Sequence, residues 1–319
     1  MEEQMIIDSV RGAISWKKTK TGLLPTRFTD KQLKIHEVTE NTRIRSLASS
    51  GMRLALRTDA HSLSLQCKVF QGSSKDLYGF DLVVNGKLQD HREGTVSGTG
   101  ELSMMFSLQE GDKTVELYFP PLAGIEIQKV ETTGNTYISP AFRNGRILVM
   151  GDSITQGYIA HYPSMTWPSI IASKLNMDLL NQGIGGDVFR PETLDAELAR
   201  PDMIFVAYGT NDWNTKGLSQ LLHDAEEYFR CLHTAYPDTI TFVLTPIWRP
   251  DQEKAVPSGL PFHTWRATLE GIVQKYDNMK AISGETLFPP LSGLFADQEI
   301  HPSDLGFREF ADRLLPEIK

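Results

Sequence analysis

The chain has 319 residues, of which 40% are hydrophobic and 23% charged, a composition typical of globular proteins with room for two cores. Its formal net charge is −8 and it has no basic stripe, which argues against nucleic acid or an anionic membrane surface as a partner. No stretch approaches the roughly 18 apolar residues of a membrane span and the first residues hold no long apolar run, so we expect neither an anchor nor a signal peptide.

Up to about residue 142 the sequence consists of short apolar and β-branched runs separated by turn residues. Several runs alternate with period two, as half-buried strands of an antiparallel sheet do. Asn85-Gly86, between two runs, predicts a tight hairpin because both residues tolerate positive φ. We therefore predict an all-β sandwich domain over residues 1–142, without a helix of three turns and with strands at Met52–Leu56, Leu63–Phe70, Tyr78–Val84, Glu101–Leu108 and Thr114–Phe119.

Residues 143–319 form the second predicted domain, because strands and amphipathic helices alternate there. This alternation indicates a parallel sheet covered on both faces, with ligands bound beyond the carboxyl ends of the strands. The predicted strands are Arg146–Met150, Met177–Leu180, Asp202–Tyr208, Thr239–Leu244 and Met279–Ile282, and the predicted helices are Trp167–Leu175, Pro191–Leu198, Leu218–Ala235, Pro261–Tyr276 and Asp304–Leu315.

The first strand of the second domain leads into the segment GDSITQG, residues 151–157, which puts Ser153 at the carboxyl edge of the sheet where a helix begins. A serine at such a turn is commonly only a helix N-cap. A nucleophilic serine needs in addition a base, an acceptor that orients the base, and donors for an oxyanion. These groups are expected at the same sheet edge.

Two polar turns follow the next two strands at that edge. One reads NQGIGGD and contains Gly186, and the other reads GTND and contains Asn211. The backbone N–H of Gly186 and the side-chain amide of Asn211 are suited to hold a tetrahedral oxyanion, while a tight turn and a helix cap are the structural alternatives. The glycines do not fit the dinucleotide-binding spacing and no phosphate-binding loop occurs, so we expect no nucleotide cofactor.

A histidine precedes the last predicted helix. His301 lies in the segment DQEIHP, beside carboxylates and before a proline. Imidazole has a pKa near neutrality and is the usual general base for a serine, although a loop histidine by itself is more often simply exposed. His301 is therefore the candidate base.

Together, GDSITQG, Gly186, GTND and His301 resemble, in their order along the chain, the four blocks of the SGNH (GDSL-type) hydrolase superfamily from about Arg146 to the C-terminus. The resemblance implies a flavodoxin-like three-layer α/β/α domain and ester hydrolysis through an acyl-enzyme. It implies Ser153 as nucleophile and His301 as base, with the Ser153 N–H, the Gly186 N–H and the Asn211 amide as the oxyanion hole.

The N-terminal part carries a less specific resemblance. Gly22–Phe28 and Asp76–Tyr78 are similar to segments of the jelly-roll-like sandwich domain that precedes the catalytic domain in some acylhydrolases, acyltransferases and carbohydrate-esterase-like members. For Asp76–Tyr78 the alternative is a strand entry with a packed tyrosine.

The superfamily places an aspartate three residues before the histidine, but this chain has Gln298 there. Asp297 stands four residues before His301 and Glu299 two before. A one-residue bulge would bring Asp297 to the imidazole, so we predict Asp297 as the third catalytic residue, with Glu299 or a backbone carbonyl as alternatives.

Two tryptophans are candidates for substrate binding. Trp213 directly follows Asn211 and Asp212, and Trp248 follows the fourth strand of the sheet, so both are predicted to form an aromatic wall against a sugar or acyl group. Packing in the core is the alternative for each.

The chain has only two cysteines, Cys67 and Cys231, far apart and outside any Cys-x-x-Cys or His/Cys pattern. We therefore expect no disulfide framework, no metal and no cofactor, and a cytoplasmic location.

These observations predict a metal-independent serine esterase that cleaves small O-acyl esters, with an acylated carbohydrate or glycoside as the favoured substrate class. One alternative is an acyltransferase that uses the same acyl-enzyme. The other is a glycan-binding protein with an inactive hydrolase domain, and the intact set of reactive residues argues against it.

Overall fold

The computed structural model describes residues 1–195 and 200–318, which form two compact units. The first unit comprises Met1–Asn144 together with two short later segments, His161–Ser164 and Ala172–Asn181. The second comprises Gly145–Ala160, Met165–Ile171 and the described residues of Gln182–Lys319.

The first unit is a β-sandwich of two antiparallel sheets. In one sheet β1, β4, β9, β6 and β7 lie side by side and β11 pairs with β4, and in the other the order is β2-β3-β10-β5-β8. In chain order the strands are β1 (Val10–Arg11), β2 (Ser15–Lys18), β3 (Leu23–Thr26), β4 (Arg53–Thr58), β5 (Ser62–Phe70), β6 (Leu77–Val84), β7 (Lys87–Thr95), β8 (Thr99–Ser107), β9 (Lys113–Tyr118), β10 (Gly124–Thr133) and β11 (Ile138–Pro140).

Alternation along the strands produces the core of the sandwich. In β5 every second residue is fully buried, namely Leu63, Leu65, Cys67 and Val69. Their side chains point to the same face because successive residues of a strand alternate between the two faces of the sheet. The period-two alternation of apolar residues in the sequence, on which the sandwich prediction rests, corresponds to this burial pattern.

The predicted hairpin at Asn85-Gly86 is confirmed. Both residues have positive φ, 51° and 76°, and Val84 pairs with Lys87 across the turn between β6 and β7. This is the backbone geometry that matches the twist of two directly connected strands.

Three helices of seven residues each also belong to the first unit, α1 (Glu3–Ser9), α2 (Asp30–His36) and α3 (Glu40–Ser46). Thr29 and Gln32 form a capping box at the start of α2, in which each side chain accepts a hydrogen bond from the other residue's backbone N–H. All three helices are shorter than three turns, as expected.

The two later segments of the first unit are held by buried polar side chains. The Asp81 carboxylate accepts hydrogen bonds from the backbone N–H and hydroxyl of Ser164, at 2.8 and 2.5 Å. Arg53, which is almost fully buried, forms an ion pair with Asp178 at 2.6 Å. These contacts hold His161–Ser164 and Ala172–Asn181 in the first unit, although both segments come later in the chain than the rest of it.

A five-stranded sheet has the order β13-β12-β14-β15-β16, and its strands β12, β14, β15 and β16 lie in the second unit. The pairs β12–β14, β14–β15 and β15–β16 are parallel. When these five strands are numbered by their order along the chain, they lie in the sheet in the order 2-1-3-4-5. This is the flavodoxin-like arrangement, so the predicted fold class is confirmed. The strands are β12 (Arg146–Gly151), β13 (Asp178–Gly183), β14 (Met203–Ala207), β15 (Thr241–Leu244) and β16 (Met279–Ile282).

Four of the five helices predicted for this α/β region are present in the described part of the chain, and three further short α-helices occur there that were not predicted. Together the helices are α4 (Ser153–Gln156), α5 (Trp167–Lys174), α6 (Thr210–Thr215), α7 (Leu218–Ala235), α8 (Phe262–Val273), α9 (Gly284–Leu287) and α10 (Asp304–Leu314). The helix predicted at Pro191–Leu198 is wrong at its start: a single 3-10 turn covers Pro191–Thr193, and Leu194 is already extended at ψ 132°. Residues 196–199 lie outside the described residues.

Throughout residues 1–195 and 200–318, no helix combines the length and the apolar character needed to cross a membrane.

Candidate active site

Ser153 stands at a sharp turn between β12 and α4. The preceding residue, Asp152, is the N-cap of α4, and its carboxylate accepts a hydrogen bond from the Ile154 N–H at 3.0 Å. Gly151 is required for the tight turn, since a Cβ there would lie 2.2 Å from the Thr155 hydroxyl oxygen. Ser153 is therefore the first residue of a helix, where backbone N–H groups have no acceptor within the helix.

The Ser153 hydroxyl, the His301 ring and the Asp297 carboxylate form a continuous chain of hydrogen bonds. Ser153 Oγ lies 2.9 Å from His301 Nε2, and His301 Nδ1 lies 2.5 Å from Asp297 Oδ2. A carboxylate only accepts hydrogen bonds, so the proton of the neutral imidazole is on Nδ1 and Nε2 is free to accept from the serine. This is the arrangement of a nucleophile, its base and an orienting acceptor.

A left-handed residue explains how an aspartate four positions before the histidine reaches it. Gln298 has a φ of 60°, which inserts one residue into the loop. The other oxygen of the carboxylate, Asp297 Oδ1, accepts from the backbone N–H groups of Glu299, Ile300 and His301 at 2.9, 3.0 and 3.1 Å. The Glu299 side chain is exposed. The structure thus brings Asp297 to the imidazole, and it does not bring Glu299 there.

Hydrogen bonding and burial shift the pKa values of this pair. Burial lowers the pKa of His301 below its ordinary value, and this effect outweighs the opposing contribution of Asp297. Burial would raise the pKa of Asp297, but the hydrogen bonds from His301 and from the loop N–H groups lower it overall. At neutral pH the pair is therefore a neutral imidazole next to an ionised carboxylate.

Gly186 lies in a turn that follows β13. The turn is closed by a hydrogen bond from the Asp187 N–H to the Ile184 carbonyl at 3.0 Å, and Gly186 has a φ of 79°, a conformation that favours glycine. The Gln156 side chain of α4 accepts from the Gly185 N–H at 2.7 Å. The turn is therefore tied directly to the helix that begins with Ser153.

Asn211 is attached to the same turn. It belongs to the first turn of α6, which follows Gly209 at a φ of 113°. Its side-chain amide donates to the Asp187 carbonyl at 3.0 Å. A side-chain amide has two N–H groups, so this bond fixes the orientation of the nitrogen and leaves a second donor for another acceptor.

Three buried aspartates, Asp152, Asp187 and Asp212, lie next to these residues in the sequence and were not identified as a group from it. Burial raises the pKa of Asp152 to about 7, and nearby Asp212 and Asp187 act in the same direction. Burial also raises the pKa of Asp187 and of Asp212, against the opposing effect of Arg190 and Lys216 respectively. Their common sequence signal is an aspartate within five residues after the end of each of three strands, β12, β13 and β14.

The two predicted tryptophans have different environments. Trp213 has no exposed surface, its Nε1–H donates to the Leu260 carbonyl at 2.7 Å, and its ring packs at 4.7 Å from that of Phe262. The prediction that Trp213 contacts substrate is therefore wrong in this structure, because its side chain turns inward from α6 to fill the core. Trp248 is half-buried, with its ring 5.8 Å from that of Phe295.

Sequence reasoning missed one residue that contacts the candidate base. The ring of Tyr158 lies 4.5 Å from the imidazole of His301, centroid to centroid. The sequence signal is only its position after Gly157, which ends α4 at a φ of 93°. The two cysteines, Cys67 and Cys231, are free. No group of three or more His, Cys, Asp or Glu side chains in the described part of the chain is arranged to hold a metal ion.

Comparison with protein families identifies the second half of the chain. Residues 149–308 match the GDSL-like Lipase/Acylhydrolase family. The chain belongs to this family. The matched region contains Ser153, Gly186, Asn211 and His301, together with the aspartate bound to His301. A comparison with curated proteins finds no match.

Solved structures share the fold over nearly the whole chain. The salicylyl-acyltransferase SsfX3 from a tetracycline biosynthetic pathway has a TM-score of 0.84 at 22% identity, over 97% of this chain and 93% of that one. A family two carbohydrate esterase from Clostridium thermocellum, in complex with cellohexaose, has a TM-score of 0.70 at 17% identity, over 97% and 98%. The acetyl xylan esterase Est2A from the rumen bacterium Butyrivibrio proteoclasticus has a TM-score of 0.63 at 13% identity, over 98% and 94%. At these identities the likeness is one of fold.

Proposed function

We propose that this acylhydrolase-family protein is a serine esterase that cleaves small O-acyl esters through an acyl-enzyme. The observation that carries the proposal is the chain of hydrogen bonds in which Ser153 Oγ lies 2.9 Å from His301 Nε2 and His301 Nδ1 lies 2.5 Å from Asp297 Oδ2. A serine in this setting has both a base to remove its proton and a carboxylate to stabilise the imidazolium that results.

In the first half-reaction the neutral His301 takes the hydroxyl proton as Ser153 Oγ attacks the ester carbonyl. The negative charge on the carbonyl oxygen is stabilised by the Ser153 N–H, the Gly186 N–H and the Asn211 side-chain amide. The bond to the alcohol breaks, and the alcohol leaves with the proton from His301. Water then repeats the same steps on the acyl-enzyme, which releases the acid and restores Ser153.

The favoured substrate is a carbohydrate or glycoside that carries an O-acetyl or other short acyl group. Support comes from the shared fold with carbohydrate and xylan esterases. Trp248 is half-buried and follows β15 at the carboxyl edge of the sheet, where a flat aromatic ring suits a sugar face. In this proposal Trp248 is the aromatic contact, and the buried Trp213 packs in the core.

Acyl transfer to an alcohol is the second candidate function, and the likeness to SsfX3 favours it. Water and an alcohol compete for one acyl-enzyme, so both reactions use the same residues in the same roles. The remaining alternative, a glycan-binding protein with an inactive hydrolase domain, conflicts with the complete Ser153–His301–Asp297 chain.

The test is hydrolysis of p-nitrophenyl acetate, butyrate and octanoate by the wild type and by Ser153→Ala, with Ser292→Ala as a control at an exposed serine. We expect the acetate or butyrate ester to be preferred and Ser153→Ala to lower kcat by several orders of magnitude. EDTA should leave the rate unchanged. Full activity in Ser153→Ala, or loss of activity with EDTA, would contradict the proposal.

Product analysis separates hydrolysis from transfer. With an added alcohol or free sugar as acceptor, a hydrolase yields mainly the free acid, whereas a transferase yields mainly the new ester. The expected cytoplasmic location and the absence of nucleic acid or membrane partners stay predictions.

A further inference from the structure

Tyr158 contacts the candidate base from a side that neither hydrogen-bonding partner occupies. Its ring centroid lies 4.5 Å from that of His301, with the two ring planes inclined by 57°. His301 is also bound by Ser153 at Nε2 and by Asp297 at Nδ1. The imidazole is thus held by two hydrogen bonds in its plane and by one packed aromatic ring.

The backbone directly after Tyr158 adopts a conformation that its residue type disfavours. The residue before it, Gly157, has a φ of 93°, and the residue after it, Ile159, has a φ of 67°. Positive φ in a β-branched residue is rare because the Cβ approaches the backbone carbonyl. Such a conformation persists where surrounding contacts determine it, and it is concentrated at functional sites.

Hydrogen bonds anchor this turn to the nucleophile. The N–H groups of Gly157 and Tyr158 both donate to the carbonyl of Ser153, at 3.1 and 2.9 Å, and the Ala160 N–H donates to the Gly157 carbonyl at 3.1 Å. The position of the tyrosine is therefore determined by the same helical turn that presents the serine.

We infer that Tyr158 is a positioning residue for His301, whose ring keeps the imidazole aligned with Ser153 and limits its access to water. This inference rests on the proposed function, because it assigns a role in proton transfer. Rotation of the imidazole about its Cβ–Cγ bond would break its hydrogen bonds to Ser153 and Asp297. The packed ring of Tyr158 restricts that rotation. Misplacement of a reacting group by about 1 Å costs roughly 10²-fold in rate.

Loss of the ring should also change the titration of the base. The charged groups that act on His301 are Asp297 and Glu299 from its own loop and Arg249 from the segment after β15, and burial is the largest influence on its pKa. Removal of the tyrosine admits water and leaves these charges in place. The pKa of His301 should then rise towards its ordinary value of 6.5.

The experiment compares Tyr158→Ala, Tyr158→Leu and Tyr158→Phe with the wild type on p-nitrophenyl acetate across pH 4–9. We expect Tyr158→Ala to lower kcat by roughly 10- to 100-fold with little change in KM, and to move the acid limb of kcat/KM to higher pH. Tyr158→Leu should also lower kcat and move the acid limb of kcat/KM to higher pH. The leucine variant takes the place of the alanine variant if the alanine variant does not fold. Tyr158→Phe, which keeps the ring, should restore wild-type behaviour.

Tyr276→Ala is the matched control, because Tyr276 makes the same kind of contact with His233 at 5.2 Å, near the opposite end of the sheet. It should leave kcat and the acid limb unchanged. The inference is overturned if Tyr158→Ala and Tyr158→Leu match the wild type in both quantities, or if Tyr158→Phe loses as much activity as the alanine variant. Ser153→Ala, assayed in parallel, separates the positioning role of Tyr158 from the proposed esterase function. Activity that survives in Ser153→Ala contradicts the proposed function itself.

Discussion

Asp297 uses its two carboxylate oxygens for different tasks. Oδ1 accepts three backbone N–H groups of the loop, and Oδ2 accepts the Nδ1 proton of His301. In Asp297→Asn the amide oxygen can keep the loop bonds, while the amide nitrogen then faces His301 and favours the wrong tautomer of the imidazole. We expect kcat on p-nitrophenyl acetate to fall by roughly 10²- to 10⁴-fold, with the thermal midpoint nearly unchanged.

Glu299→Gln is the matched control for this variant, since it changes an exposed carboxylate in the same loop. It should retain near-normal kcat. Normal rates in both variants would mean that the enzyme works with Ser153 and His301 alone. A large loss in Glu299→Gln would show that the carboxylate partner differs from the one observed.

Asn211 contributes the one side-chain donor of the proposed oxyanion hole. Its amide is already oriented by the bond to the Asp187 carbonyl, so little reorganisation is needed when charge develops on the substrate. Asn211→Ala should lower kcat by roughly 10²- to 10³-fold, about 2.7 to 4 kcal/mol, with little change in KM.

Asn214→Ala, one turn along α6, is the control for that substitution and should behave as the wild type. Steady-state kinetics on a single activated ester measure both variants. A raised KM with unchanged kcat in Asn211→Ala would show that the residue binds the ground-state substrate instead.

Sequence reasoning located residues whose position depends on a motif at a strand end. Ser153, Gly186 and Asn211 follow from that pattern, because parallel strands bring their carboxyl ends to one edge. His301 was predicted from its segment DQEIHP before the last helix. Residues whose role depends on side-chain direction were harder to predict. Trp213 follows a reactive segment and yet faces the core.

Among the secondary-structure elements, strongly periodic ones were predicted best. The bounds of α7 and β16 agree residue for residue with the prediction. α7 has a clear apolar face, and β16 begins and ends with the buried residues Met279 and Ile282. The loop that carries Asp297 required a left-handed residue at Gln298, which residue type alone does not indicate.

Polar and short elements were missed for a common reason. β7 (Lys87–Thr95) has no buried residue, because it lies at the edge of its sheet. Its backbone is paired with β6. Such a strand gives no period-two signal. The failure at Pro191–Thr193 has the opposite cause: helix-forming residues follow a proline, but the chain turns out of the helix at Leu194.

At the scale of the whole molecule, the acidic residues of the chain are found in its interior as well as on its surface. The formal net charge is −8, and Asp152, Asp187 and Asp212 are almost completely buried near the carboxyl edge of the sheet. Arg190 and Lys216 pair with two of them at 2.9 and 2.7 Å. Asp152 is stabilised chiefly by the Ile154 N–H. A carboxyl group in this position favours its neutral form.

The stability of the protein should therefore depend on pH through Asp152. Its pKa is about 7 in the folded protein, against an ordinary value of 3.8, so the folded state holds this proton more tightly than the unfolded state does. Its contribution to stability is complete below about pH 4 and is lost as the pH rises to about 7, and the difference corresponds to about 4 kcal/mol. Asp152→Asn keeps the oxygen that accepts from Ile154 and has no proton to lose.

We accordingly expect Asp152→Asn to be more stable than the wild type at pH 8 and close to it at pH 4.5. Urea unfolding followed by tryptophan fluorescence measures the difference, because four of the five tryptophans lie in the second unit. Asp238→Asn, at an exposed carboxylate, is the control and should change stability little at either pH. An equal gain at both pH values would show that packing and not ionisation is responsible, and no gain at pH 8 would mean that the buried carboxylate is already compensated by its surroundings.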